Sequence, residues 1–249
     1  GNHTDHQHGC VLAAAVDLTT TAEVRPNGTN VIRIQSEGYA PVEIGLADLG
    51  VREDERNTTA ALVRGVAAAF AARGCVLHGF DAAVRSTVLP GSGLSSSAAF
   101  EVMLCAIFDE LYNQGTLDYK HRAKISQFAE NVYFGKPSGL LDQLTSAVGG
   151  IIFADFADPQ QPVLEKIHAD GLLPPGMSLC VTDTRDSHSE LTGEFAAIRQ
   201  EMEQIAAFLG KKVLGQVTES AFWAALPALR KACGDRAVLR AIHYFEENA

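Results

Sequence analysis

Apolar residues recur along this chain in two rhythms, one of period two and one near four. Residues Cys10–Val16 form a run of small apolar residues, and in Asn30–Gln35 the side chains of Ile32 and Ile34 share a face; both predict strands. From Asn57 to Arg73 the rhythm lengthens. Leu62, Val66 and Phe70 recur every fourth residue and Gly74 follows, which predicts a helix with a glycine stop. Leu77–Val88 again reads as strand. A Gly/Ser loop then opens a strongly apolar helix carrying Phe100, Met103, Leu104, Ile107 and Leu111. A further helix is predicted over Tyr119–Phe134 and a shorter one after Gly139. Strands near Ile151–Asp155 and Met177–Asp183 follow, then a long amphipathic helix through Leu191, Phe195, Ile198, Met202 and Ile205.

Strands and helices mix without strict alternation, so the pattern favours an α+β fold over a doubly wound sheet. Asp170–Gly176, with two prolines and two glycines, is the candidate boundary, giving a first domain over 1–172 and a second over 173–249. The chain opens at Gly1 inside a dense polar motif, without methionine, and its last residues read as an unfinished helix. It is therefore expected to be part of a longer protein.

Composition narrows the partners more than the chemistry. With 249 residues, 47% hydrophobic and 20% charged, the chain reads as an ordinary globular protein. Its net charge of -10 disfavours a nucleic-acid binder. No uncharged apolar stretch is long enough for a membrane helix, and no signal peptide is visible. Cys10, Cys75, Cys105, Cys180 and Cys233 are scattered, odd in number and without a CxxC pair, as expected of reduced thiols in a cytoplasmic protein.

The candidate chemistry begins at Pro90-Gly91-Ser92-Gly93-Leu94-Ser95-Ser96-Ser97-Ala98-Ala99. Glycines let backbone approach a polyphosphate, serines supply hydroxyls, and the following helix offers free N–H groups and a positive dipole end. The loop is neither a Walker loop nor a GxGxxG turn. Read alone, it is also compatible with a plain Gly/Ser loop ending in a serine N-cap. Downstream lie Glu130 and Asp142. Phosphoryl transfer needs a metal to gather charge and a group to orient or deprotonate the attacking hydroxyl. One carboxylate with a serine hydroxyl and waters suits Mg²⁺, and a second carboxylate can take the proton. Singly, each also fits an exposed helix face or a helix cap. At the chain start, His3, Asp5, His6 and His8 invite a metal reading, but their spacing matches neither His-x3-His nor a two-plus-two zinc site.

Three stretches together resemble one family. The Gly-Leu-Ser-Ser-Ser-Ala-Ala run is similar to the phosphate loop of the GHMP kinases, and most of all to the galactokinase branch. Ala129–Gln143 resembles the galactokinase stretch AE-x4-G-x-P-x-G-x-x-DQ, and Gly1–Leu12 resembles its signature GEHTDYNGG-x-VLP. The resemblance implies a two-domain α+β GHMP-kinase-like fold, its second domain incomplete here, with the active site in the cleft between domains. It implies that Pro90, Gly91, Ser92, Gly93, Leu94, Ser95, Ser96, Ser97 and Ala98 wrap the phosphates of ATP. Ser97 and Glu130 then hold Mg²⁺, and Asp142 is the base facing the anomeric hydroxyl of galactose. Asn2, His3, Asp5, Gly139 and Phe195 fall on the sugar side. Two of these depart from the family: its glutamate is Asn2, and its later tyrosine is Phe195. These departures keep open a related sugar (galacturonate, arabinose, an N-acetylated hexosamine), and a non-catalytic sugar sensor is a further alternative. The family also carries an upstream arginine and a downstream glycine-rich motif outside this chain, so the chain alone is expected to transfer phosphate poorly.

Overall fold

A computed structural model describes residues 3–88, 91–168 and 192–249, together with 176, 177, 180 and 182. Its strands are β1 (Cys10–Ala14), β2 (Thr20–Pro26), β3 (Val31–Ser36), β4 (Val42–Gly45), β5 (Phe80–Ser86), β6 (Ile151–Asp155) and β7 (Val163–Ile167). Its helices are α1 (Thr59–Ala72), α2 (Ser96–Tyr112), α3 (Tyr119–Phe128), α4 (Leu141–Val148), α5 (Thr192–Phe208), α6 (Glu219–Cys233) and α7 (Asp235–Glu247). The chain forms two compact units that are not consecutive in sequence. Residues 16–148 make one, while 3–15, 149–168 and 192–249 belong to the other. This division differs from the expected break between 172 and 173, because the N-terminal segment joins residues far downstream. The segment around that break, and most of the strand expected at Met177–Asp183, lie outside the described residues.

In the 16–148 unit four strands run in the order β2-β5-β3-β4. The β3–β5 pair is parallel, with Arg33 opposite Asp81, and the other two pairs are antiparallel. Helix α1 forms as its periodicity demands, burying Leu62, Val66 and Phe70. The Thr58 hydroxyl caps its start by accepting from Ala61 N–H at 3.4 Å. Gly74, at φ +85°, ends it with its N–H donating to Ala71 C=O, while Cys75 N–H donates to Phe70 C=O. Phe108 on α2 meets Phe70 and Phe80 at centroid distances of 5.4 and 5.6 Å, tying both helices to the sheet.

The helix expected over Tyr119–Phe134 is one continuous path but two geometries. It is α-helical to Phe128 and then π-helical over Ala129–Phe134. Gly135 N–H and Lys136 N–H both donate to Glu130 C=O, at 2.9 and 3.1 Å, and Gly135 turns the chain at φ +90°. Gly65 is what lets α1 press against this turn: a Cβ there would lie 2.8 Å from the Ala129 Cα.

The second unit pairs β1 with β6 and β6 with β7, all antiparallel, with Cys10 opposite Asp155. Its helices enclose a core around Met202, Ile205, Leu214, Phe222, Leu229 and Tyr244. The chain start is woven into it: Cys10 N–H donates to Asn248 Oδ1, and Leu214 N–H to Gln7 Oε1 at 3.0 Å. Strands β2, β4 and β7 were not expected from sequence.

Candidate phosphoryl-transfer site

The serine loop is built on left-handed backbone. Gly91, Gly93 and Ser95 have φ of +71°, +77° and +60°. For the glycines this conformation is free of steric cost; for Ser95 it costs on the order of 1 kcal/mol, which the surroundings must offset. Ser95 occupies the N-cap position of α2, yet its hydroxyl does not cap the helix. It donates to Asp142 Oδ2 at 2.5 Å. The N–H groups of the first turn are thus left without a side-chain cap, and the positive end of the helix faces the loop.

Ser97, in that first turn, donates from Oγ to Glu130 Oε1 at 3.0 Å. Glu130 is not on an exposed helix face: it is 1% exposed, carried on the π-helical turn. Its two oxygens are held differently. Oε1 also receives the Lys136 ammonium at 3.0 Å, whereas Oε2 accepts from Gln143 Nε2 at 2.7 Å. The same amide reaches Glu101 Oε2 at 3.2 Å. Burial, and after it the charge of Glu130, push the Glu101 carboxyl well above the usual carboxylate range. A protonated Glu101 has a hydroxyl to donate, and Gln143 Oε1 is a buried acceptor without a partner among the described residues. Burial works against the Lys136 ammonium, but the charge of Glu130 and then its hydrogen bond outweigh it and raise the lysine pKa.

The structure thus brings Ser97, expected beside Glu130, onto that carboxylate, and it adds a contact the sequence did not suggest, Ser95 with Asp142. Asp142 stands exposed in the first turn of α4. Gly139 precedes that helix, beside Ser138, whose N–H and hydroxyl both donate to Asn131 Oδ1 at 2.8 and 3.0 Å. Leu94 donates its N–H to the Ser92 hydroxyl at 3.4 Å, Ser96 is half-buried and Ala98 buried, while Pro90 lies outside the described residues. Glu101, Gln143 and the pairing of Lys136 were missed in the sequence. A signal existed for Glu101, a carboxylate one turn after Ser97 within the apolar stretch Ala98–Phe108.

The Ser97 hydroxyl and Glu130 Oε1 offer a metal two hard oxygen donors at one point, and an ammonium already sits on that carboxylate oxygen. Among the described residues no group of three or more His, Cys, Asp and Glu is placed to hold a metal ion. A cation here would draw its remaining ligands from phosphate and water, which suits Mg²⁺ rather than zinc.

His3 and Asp5 belong to the other compact unit. His3 has φ +59° and its ring lies 5.7 Å from that of His6; Asp5 is buried in a short 3₁₀ turn. Thr4 Oγ1 donates to Cys10 C=O at 2.9 Å, and Gln7 anchors the turn from within. Burial, outweighing the nearby Asp5 charge, lowers the His6 pKa to about 4, so its imidazole is neutral near pH 7. Asn2 lies outside the described residues. Phe195 falls on α5, and its side chain likewise lies outside what the structure describes.

No described helix is long and apolar enough to cross a membrane, and the five cysteines are free thiols.

Comparison with known proteins adds the lineage. The GHMP kinases N terminal domain matches residues 61–150, and the galactokinase galactose-binding signature matches residues 1–26. A galactokinase of Streptomyces coelicolor is 38% identical over 234 residues, covering 92% of this chain and 59% of the relative. One from Chloroflexus aggregans is 32% identical, covering 87% and 54%. The chain spans somewhat over half the length of these relatives. In structure, the galactose complex of Lactococcus lactis galactokinase superimposes with a TM-score of 0.77 at 23% identity, covering all of this chain and 64% of that one. Methanococcus jannaschii mevalonate kinase superimposes at 0.59 with 14% identity, covering 99% and 75%. The fold is that of the GHMP kinases, and both family matches and the curated relatives make the chain similar to the galactokinase branch of that superfamily.

Proposed function

We propose that the full-length protein is a cytoplasmic kinase that transfers the γ-phosphate of ATP to the anomeric hydroxyl of galactose. The observation that carries this reading is a single loop, Ser95–Ser97, joined through one serine to Glu130 and through another to Asp142. A phosphate cradle, a metal ligand and a base are thereby gathered around the start of α2. Ser97 Oγ and Glu130 Oε1 would hold Mg²⁺, which when bound neutralises charge on the phosphates. Gln143 keeps Glu130 Oε2 occupied, so the carboxylate presents Oε1 alone. Asp142, oriented by the Ser95 hydroxyl, takes the proton of the sugar hydroxyl as its oxygen bonds to the γ-phosphorus and ADP departs. His3 and Asp5 supply donors and acceptors for the ring hydroxyls, supported by the match of their segment to the galactose-binding signature. That the Lactococcus relative was captured with galactose supports the same sugar.

A second reading, a kinase for galacturonate, arabinose or an N-acetylated hexosamine, rests on Asn2 and Phe195. One experiment separates the two. ADP release by the full-length protein is measured with ATP, Mg²⁺ and a panel of these sugars, and the product is located by NMR. Galactose 1-phosphate as the preferred product is expected. Preference for another sugar establishes the second reading, and sugar binding without transfer to any of them establishes a sensor.

A further inference from the structure

Lys136 occupies a position that the galactokinase pattern leaves open, yet it sits on the carboxylate assigned to the metal. Its Nζ and the Ser97 Oγ each lie 3.0 Å from Glu130 Oε1, so the ammonium stands within two such lengths of the phosphate loop. We propose that Lys136 is a phosphate-binding cation of the nucleotide site, parked on Glu130 until a divalent ion takes that oxygen. The proposal rests on the kinase reading above.

Three observations separate this from a structural ion pair. The partners differ in exposure: the Lys136 side chain is 37% exposed and that of Glu130 2%, so the ammonium lies on the wet side of the contact. Glu130 does not depend on the lysine for its orientation, because Gln143 and Ser97 already hold it. Finally, the Lys136 backbone is fixed independently, by the Gly135 and Lys136 amides on Glu130 C=O. Only the flexible four-carbon stem must move for the charge to change partner.

Electrostatics supply the drive. A divalent ion arriving at Ser97 Oγ and Glu130 Oε1 competes with the ammonium for the same oxygen and repels it. A triphosphate brings several negative charges beside the Glu130 and Asp142 carboxylates, and that gathering needs cations beyond one metal ion. The displaced ammonium is the group at hand, and it bonds to phosphate as a mobile point charge.

Opposite signs on two ligands make the test. In the full-length protein, Lys136→Met, Lys136→Gln and Lys136→Arg are compared with the parent. Mn²⁺ binding without nucleotide is read by electron paramagnetic resonance, and binding of a non-hydrolysable ATP analogue, ADP and adenosine by calorimetry. Both neutral variants are expected to tighten Mn²⁺ several-fold, since the competing ammonium is gone. They should weaken the ATP analogue by about tenfold to a hundredfold while leaving adenosine unchanged. Lys136→Arg should hold the analogue near parental affinity. A purely structural lysine would weaken both ligands together, and that result overturns the proposal, as does unchanged analogue binding in a parent that binds it well. A parent that binds no ATP analogue overturns the kinase reading and this proposal with it.

Discussion

In the unit of residues 16–148, the candidate chemistry is held side chain to side chain: Ser95 to Asp142, Ser97 and Lys136 to Glu130, Gln143 between Glu130 and Glu101. In the unit that opens with His3 and Asp5, the side chains named for sugar recognition ride on a turn that is fastened mainly to backbone. There Thr4 donates to Cys10 C=O, Gln7 accepts from Leu214 N–H, and Asn248 accepts from Cys10 N–H. The two arrangements should fail differently. A network of charged side chains loses chemistry when one member changes, with little loss of fold. A turn fastened through backbone loses order first.

The largest effect should come from Asp142→Asn in the full-length protein. It removes the proposed base and keeps an acceptor for the Ser95 hydroxyl, so kcat should fall by about two to four orders of magnitude while ATP-analogue binding stays near parental. Steady-state kinetics with calorimetry checks this; an unchanged kcat removes Asp142 from its role. Next comes Gln7→Leu, which strands the buried Leu214 amide at a cost of roughly 1–3 kcal/mol. Hydrogen exchange should quicken in the 207–217 segment and at the chain start, and not in the serine loop. Loss of protection in both places would erase the contrast between the units.

Gly65→Ala is smaller. The added methyl meets Ala129 at 2.8 Å, and overpacking of about 1–3 kcal/mol is only partly offset by the better helix propensity, worth up to about 1 kcal/mol. A lower melting temperature with faster exchange over 129–134 is expected. The smallest effect is Glu101→Gln, and it depends on pH. An acid whose folded pKa exceeds its unfolded value keeps its proton longer in the folded chain. Its stabilising contribution is therefore complete below the ordinary 4.5 and is lost as pH rises through the folded value. The amide cannot ionise, so the melting temperature of Glu101→Gln should gain on the parent as pH is raised from about 4 to 8. A constant difference across that range would show that Glu101 does not hold its proton as described.

What the sequence disclosed follows from how local each signal is. The α1 stripe, the glycine stop at Gly74 and the serine loop are written within a few residues, and they appear where expected. Strands β4 and β7 are only four and five residues long, and β2 alternates threonine and charge with the half-buried Ala22 and Val24, so period two barely emerges. The joining of 3–15 to downstream helices is invisible locally because its contacts span more than two hundred residues, as from Gln7 to Leu214. At the site, the serines and carboxylates were legible by type and order. The Gln143–Glu101 contact was not, since an amide between two carboxylates looks like any polar residue until the fold closes around it.

The π-helical turn carries a consequence for comparing relatives. It fits one more residue into each turn than an α-helix does, and each residue of a regular helix advances about 100° around the axis. Deleting any one residue between Ala129 and Phe134 would let the segment relax to α-helical phase. Because the π turn holds that one extra residue, and provided the residue lost is not Glu130, the stretch from Gly135 to Gln143 would still set off in nearly the same direction. A homologue bearing a one-letter gap there could break the signature on paper and still keep its residues aimed. The spacing across this turn is thus the part of the motif that can vary by one residue without turning the residues that flank it.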